Sequence, residues 1–193
     1  MVRKVVLLVV LALALPLAAF ANSSIDIGNA GGVISGNSGG LSLTGSTLFK
    51  VGGIVGSNLG SLTFTTGAFT GGDVKMGGTL AAGGTFTITG NGTNGVPNGV
   101  IFSGTFSSAK WDLTTLANGT HVYTLTGGLV SPSGQVAATI QLTVNTGTDF
   151  FNGSANLSSG NTTLAVPEPG TLSLLGTGLI GLAGLVRRKR IFA

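Results

Sequence analysis

Apolar residues alternate one for one with threonine and other polar residues in several separate runs of the chain. The run 85–89 is Thr-Phe-Thr-Ile-Thr, and the run 138–144 is Ala-Thr-Ile-Gln-Leu-Thr-Val. Successive side chains of a strand point to opposite faces, so this period of two indicates strands with one buried and one solvated face. Threonine is β-branched and suits the solvated face. No run between residues 22 and 165 has a convincing helical period, and an all-β domain is predicted.

Glycine is frequent, with 35 among 193 residues, and it clusters between the alternating runs. Such clusters are typical of tight turns between short strands. They are Gly39-Gly40, Gly71-Gly72-Asp73, Gly83-Gly84, Asn118-Gly119, Gly127-Gly128 and Ser131-Pro132-Ser133-Gly134. We predict nine to eleven antiparallel strands in a β-sandwich, jelly-roll-like in type. A right-handed β-solenoid is the alternative, but it needs a fixed repeat period and the sequence has none.

The alternation also assigns residues to faces. It groups Val100 with Phe102 and Phe106 and groups His121 with Tyr123 and Leu125. Residues expected in the core are Phe102, Phe106, Ile140 and Leu142.

Residues 1–21 have the three parts of a secretory signal peptide. Arg3 and Lys4 give a positive start, residues 5–17 are apolar, and Ala19-Phe20-Ala21 is a small-x-small cleavage pattern. We expect signal peptidase to cut between Ala21 and Asn22. The alternative is a retained N-terminal anchor.

The C-terminal region has a second apolar segment. Residues 170–186 are uncharged and mostly apolar, and as a helix they would span about 25 Å, the short end of a transmembrane segment. A stop-transfer cluster follows: Arg187, Arg188, Lys189 and Arg190. Val166-Pro167-Glu168-Pro169 precedes the segment, and its prolines prevent the helix from extending backwards.

These three parts, in this order and spacing, closely resemble the PEP-CTERM protein-sorting signal of Gram-negative bacteria. The resemblance implies that Pro167, Glu168 and Pro169 are recognised by an exosortase, a membrane-embedded transpeptidase-like enzyme that cuts near the motif. It further implies an exported protein associated with exopolysaccharide and biofilm. The chain is thereby divided into a signal peptide (1–21), an exported β-rich domain (22–165) and a sorting signal (166–190). A plain membrane anchor is the alternative for the last part.

Charge is concentrated at the two ends of the chain. The net charge is +4, but six of the nine basic residues lie in 1–21 and 187–190. Residues 22–166 hold three lysines and four aspartates. A nucleic-acid partner is excluded, because phosphate binding needs a basic face.

Few residues of the β-rich domain could carry catalysis or bind a metal. There is no cysteine and His121 is the only histidine, so we predict no metal site, no cofactor and no catalytic residue. His121 is expected to be a structural residue near the core; a secreted hydrolase that uses it with an aspartate is a minor alternative.

The first functional hypothesis is therefore a non-enzymatic, exosortase-processed surface or matrix protein, associated with exopolysaccharide through its hydroxyl-rich strands. The alternative is a carbohydrate-binding module. An outward-facing Trp111, able to stack on a sugar, would favour the module, whereas a buried Trp111 would be a core residue.

The first prediction concerns maturation. Mass spectrometry of the exported protein should give an N-terminus at Asn22, because the cleavage pattern ends at Ala21. An exported protein that retained Met1 would contradict the signal-peptide interpretation.

Overall fold

The structure is a computed structural model, and it describes residues 23–132 and 137–166. Twelve β-strands occupy these two ranges. They are β1 (Ser23–Ala30), β2 (Val33–Asn37), β3 (Gly40–Val51), β4 (Ile54–Val55), β5 (Gly60–Thr65), β6 (Phe69–Asp73), β7 (Gly77–Leu80), β8 (Gly83–Asn91), β9 (Asn98–Thr115), β10 (His121–Val130), β11 (Ala137–Gly147) and β12 (Ser154–Val166). Nowhere in these ranges is there a helix long and apolar enough to cross a bilayer.

Eight strands form a closed antiparallel ring. The order is β9, β10, β11, β12, β1, β3, β5, β8 and back to β9. β2 continues β1 beyond Gly31-Gly32 and pairs with both β12 and β3. β4 pairs with β3. β6 and β7 form a hairpin, and β7 pairs with the part of β9 that follows its pairing with β8.

The all-β prediction is confirmed, but the predicted sandwich is not. The sheet closes on itself as an eight-strand barrel with extra strands, instead of forming two separate packed sheets. An alternation of period two is required equally by the wall of a barrel and by the face of a sandwich, so the sequence pattern does not distinguish them.

Aromatic residues fill the barrel interior in two groups. One group contains Phe64, Phe86, Phe102 and Phe106, with ring centroids 5.7–6.3 Å apart in the contacting pairs. The other contains Trp111, Tyr123 and Phe151, at 5.1–5.8 Å. All four residues predicted for the core, Phe102, Phe106, Ile140 and Leu142, are buried.

Three details of the sequence prediction are wrong: one at a β-bulge and two at glycines that lie inside strands. The predicted turn Gly71-Gly72-Asp73 lies within β6. Val100 does not share the buried face of Phe102; it is 66 % exposed, and a register shift against β8 lies between the two residues. Gly127-Gly128 is not a turn but lies inside β10, next to a second register shift. A Cβ on Gly127 would stand 2.9 Å from the Phe106 ring, so glycine there permits close packing.

The second prediction tests the interior. Phe106→Ala should lower the free energy of unfolding by about 3–5 kcal/mol, since it leaves a cavity within the first aromatic group. The neighbouring Thr105 is exposed, and Thr105→Ala should change stability by less than about 0.5 kcal/mol. Denaturant titration of both variants measures this. Equal losses would contradict the assignment of inward and outward faces.

Candidate functional site

The last described strand, β12, ends where the predicted sorting signal begins. Pro167, Glu168, Pro169 and the cluster Arg187, Arg188, Lys189 and Arg190 lie outside the described residues, as do Ala21 and Asn22 at the predicted cleavage site. The strand itself runs to Val166. Leu164, two residues before its end, is 4 % exposed and belongs to the core.

The described chain begins and ends at the same rim of the barrel. Near the start of β1, Asp26 accepts a hydrogen bond of 3.0 Å from the Thr163 hydroxyl on β12. β12 is antiparallel to β2, which continues β1, so the start of β1 lies beside the end of β12. The first residues of β1 and the last residues of β12 therefore lie side by side in the sheet.

A polar groove crosses the outer wall of the barrel on five successive strands, β7, β9, β10, β11 and β12. Its central row consists of residues that are direct cross-strand partners. They are Thr79, Lys110, Thr126, Gln141 and Asn161. With neighbouring strands about 4.8 Å apart, the row is about 19 Å long.

Glycine gives the groove its depth. Gly128 is the outward-facing member of the adjacent row, between its partners Ser108 and Thr139, and it contributes no side chain there. The resulting groove has a volume of about 640 Å³. Hydroxyl and amide groups both donate and accept hydrogen bonds, so this lining is suited to a ligand rich in hydroxyl groups.

Charge in and beside the groove is locally compensated. Lys110 Nζ lies 2.6 Å from Asp112 Oδ1, and both side chains are substantially exposed. The groove therefore presents one cation with an acidic partner and is not a strongly charged surface.

Trp111 and Tyr123 are core residues whose polar atoms bind backbone segments. Trp111 is fully buried, and its Nε1 donates to the Val74 carbonyl at 2.9 Å. The Tyr123 hydroxyl donates to the Lys75 carbonyl at 2.6 Å and accepts from the Phe151 amide at 3.0 Å. Trp111 is thus not available as an outward platform for a sugar.

His121 occupies a structural position. It is 8 % exposed, its Nδ1 is hydrogen-bonded to the Thr115 hydroxyl at 3.0 Å, and its ring stacks on Phe150 with centroids 4.2 Å apart. The ammonium of Lys75 lies 5.0 Å from the centre of the Phe150 ring. These contacts hold the loop after β11 and the β6–β7 turn against the barrel end opposite to the rim where the described chain begins and ends.

Comparison with known proteins identifies the C-terminal region. Residues 165–190 match the family model of the PEP-CTERM protein-sorting motif. The chain carries a PEP-CTERM sorting signal. The suspected resemblance is confirmed, and the signal indicates an exosortase-targeted extracellular or surface protein. The chain matches none of the curated proteins and none of the solved structures with which it was compared.

The PEP-CTERM signal and the groove differ in how visible they are in the sequence. The signal is a contiguous stretch whose residues can be recognised without knowing the fold. The groove depends on the register of five strands. Its two outermost residues, Thr79 and Asn161, are 82 positions apart in the sequence. The alternation shows that Thr139 and Gln141 point outward, but not which residues of other strands lie beside them.

Proposed function

We propose that the protein is a non-enzymatic surface or matrix protein of a Gram-negative bacterium, exported through a cleaved signal peptide and processed by an exosortase. The observation that carries the proposal is the PEP-CTERM match at residues 165–190. Residues 1–21 supply the export signal that such a protein requires.

The order of events follows from the charges and the apolar segment. Signal peptidase cuts between Ala21 and Asn22, while the segment 170–186 stops in the membrane with the cluster 187–190 on the cytoplasmic side. The β-domain is then anchored outside the inner membrane. Cleavage near Pro167-Glu168-Pro169 separates it from that anchor and allows it to reach the cell surface or the extracellular matrix.

We further propose that the groove contacts exopolysaccharide. Its central row offers hydroxyl, amide and ammonium groups along about 19 Å, which suits an extended chain with regularly spaced hydroxyl groups. The groove also favours the second candidate, a dedicated carbohydrate-binding module. Such a module commonly stacks sugars on aromatic rings, and the buried Trp111 cannot serve as such a ring.

The third prediction tests the sorting motif. Glu168→Ala should leave membrane insertion unchanged, because the segment 170–186 and the basic cluster are intact. It should prevent removal of the tail in a host that has an exosortase, because the carboxylate between two prolines gives the enzyme a fixed charge to bind. Asp149→Ala, which removes an exposed acid outside the matched residues 165–190, is the control and should be processed normally. Gel mobility and membrane fractionation distinguish the two forms; equal processing of all three proteins would show that the motif is not the signal.

The fourth prediction tests the groove. The triple variant Thr126→Ala, Gln141→Ala, Asn161→Ala removes three adjacent members of the central row. It should weaken the affinity measured by electrophoresis through gels containing the host's exopolysaccharide by about tenfold or more, since each of roughly three lost hydrogen bonds contributes at least about 0.5 kcal/mol.

The matched control is Thr63→Ala, Thr87→Ala, Ser103→Ala, a row of three cross-strand partners on the opposite part of the wall. It should migrate like the wild type. If both triple variants migrate like the wild type, the groove is not the contact surface.

A further inference from the structure

The sorting signal and the barrel overlap in sequence. The PEP-CTERM match begins at Ala165, whereas β12 continues to Val166. Within β12, Ala165 pairs with Ala137 and Leu164 pairs with Ala138. No linker therefore separates the last strand of the barrel wall from the matched segment, and Pro167 directly follows Val166.

This end of β12 is held on both sides. β11 pairs with it from Val144 to Ala137, and β1 lies along its other edge. Leu164 is buried in the core, and the Thr163 hydroxyl binds Asp26 across the strands. In the closed barrel, β12 therefore has a neighbouring strand on both edges, and its pairing with β11 reaches Ala165.

Proteolytic enzymes cut exposed chain segments, and the backbone N–H and C=O groups of an extended peptide are the groups through which partner proteins commonly bind it. Those groups are not free for an enzyme while a strand is paired on both edges. An exosortase that engages the chain from Ala165 onward therefore competes with β11 and β1 for the same backbone atoms.

We propose that the exosortase-binding segment of this chain extends into β12, and that residues 164–166 separate from the barrel wall before the tail is cut. The proposal rests on the proposed processing by an exosortase. It makes the folded barrel a determinant of the processing rate, because cleavage of a transiently opened segment follows the population of the open form.

The position of residues 164–166 at the end of a strand favours opening there. Strand ends open most easily in native proteins. Just before this end, Thr162 Oγ1 is buried and has no hydrogen-bond partner among the described residues. A buried polar atom without a partner loses its hydration and gains no bond in return. The last residues of β12 therefore leave the wall more easily than its middle part.

A cross-strand disulfide tests the proposal in the full chain. The protein has no cysteine, so Ala137→Cys with Ala165→Cys can form only one disulfide within the chain. Directly paired residues of antiparallel strands have Cα atoms about 4.5–5.5 Å apart, within the range that a disulfide spans. In an exosortase host, this pair should slow removal of the tail by about tenfold or more, and a thiol reductant should restore it.

The matched control is Thr143→Cys with Ser159→Cys, which joins the same two strands away from the rim. It should be processed like the wild type, as should Ala137→Cys alone. A third variant carries the 137–165 disulfide and also an insertion directly after Val166, which is a second copy of residues 163–166. The inserted copy has no partner strand, so the tail should be removed at the wild-type rate without reductant.

The outcomes separate this inference from the proposed function. If the wild type keeps its tail in the exosortase host, the proposed processing itself is wrong. If the wild type is processed and the fully oxidised 137–165 variant is processed at the same rate, only the opening of β12 is refuted. If the 137–165 variant keeps its tail even after reduction, the opening of β12 is also refuted, because the cysteine side chain at position 165 would then be responsible.

Discussion

Pairing of β12 with β11 on one edge and with β1 and β2 on the other closes the sheet into a ring, and the rest of the structure depends on it. Without this strand the ring would be open along two edges, and the interior aromatic groups would lose one wall. The ring also joins the first and last described strands of the chain. The last strand of the ring therefore ends directly before the first proline of the PEP-CTERM motif.

The inner and outer faces of the closed barrel carry different kinds of side chain. The interior is apolar and aromatic, whereas threonine, serine, asparagine and glutamine occupy much of the outer wall. This division follows directly from the alternation in the sequence. Glycine modifies it locally: Gly127 lets the backbone approach the Phe106 ring, and Gly128 leaves a gap in the outer wall that deepens the groove.

The sequence was sufficient to predict strands and faces where the alternation is uninterrupted, as at Ile140 and Leu142. It failed at Val100 because a bulge inserts an extra residue opposite β8, and such an insertion has no signature in the pattern of apolar and polar residues. Gly127-Gly128 was mistaken for a turn because close packing and turn formation both select glycine. Ring closure and the neighbours of Lys110 depend on pairing between distant strands, which a single sequence does not specify.

Sorting and display are carried by different parts of the chain. The PEP-CTERM signal specifies handling of the protein at the membrane, and it is short and contiguous. The barrel supplies what is presented after export, and its outer wall carries a groove lined by hydroxyl and amide groups. The end of β12 is where the two parts meet, so folding and processing are expected to influence each other there.

The central claim is that the tail after Pro167-Glu168-Pro169 is removed by an exosortase. Its most direct test is the intact mass of the wild-type protein from an exosortase-containing host and from the same host with that enzyme deleted. The account predicts that the protein from the first host retains the barrel and lacks the apolar segment 170–186 and the basic cluster, while the protein from the second retains both. Identical masses from the two hosts would contradict it.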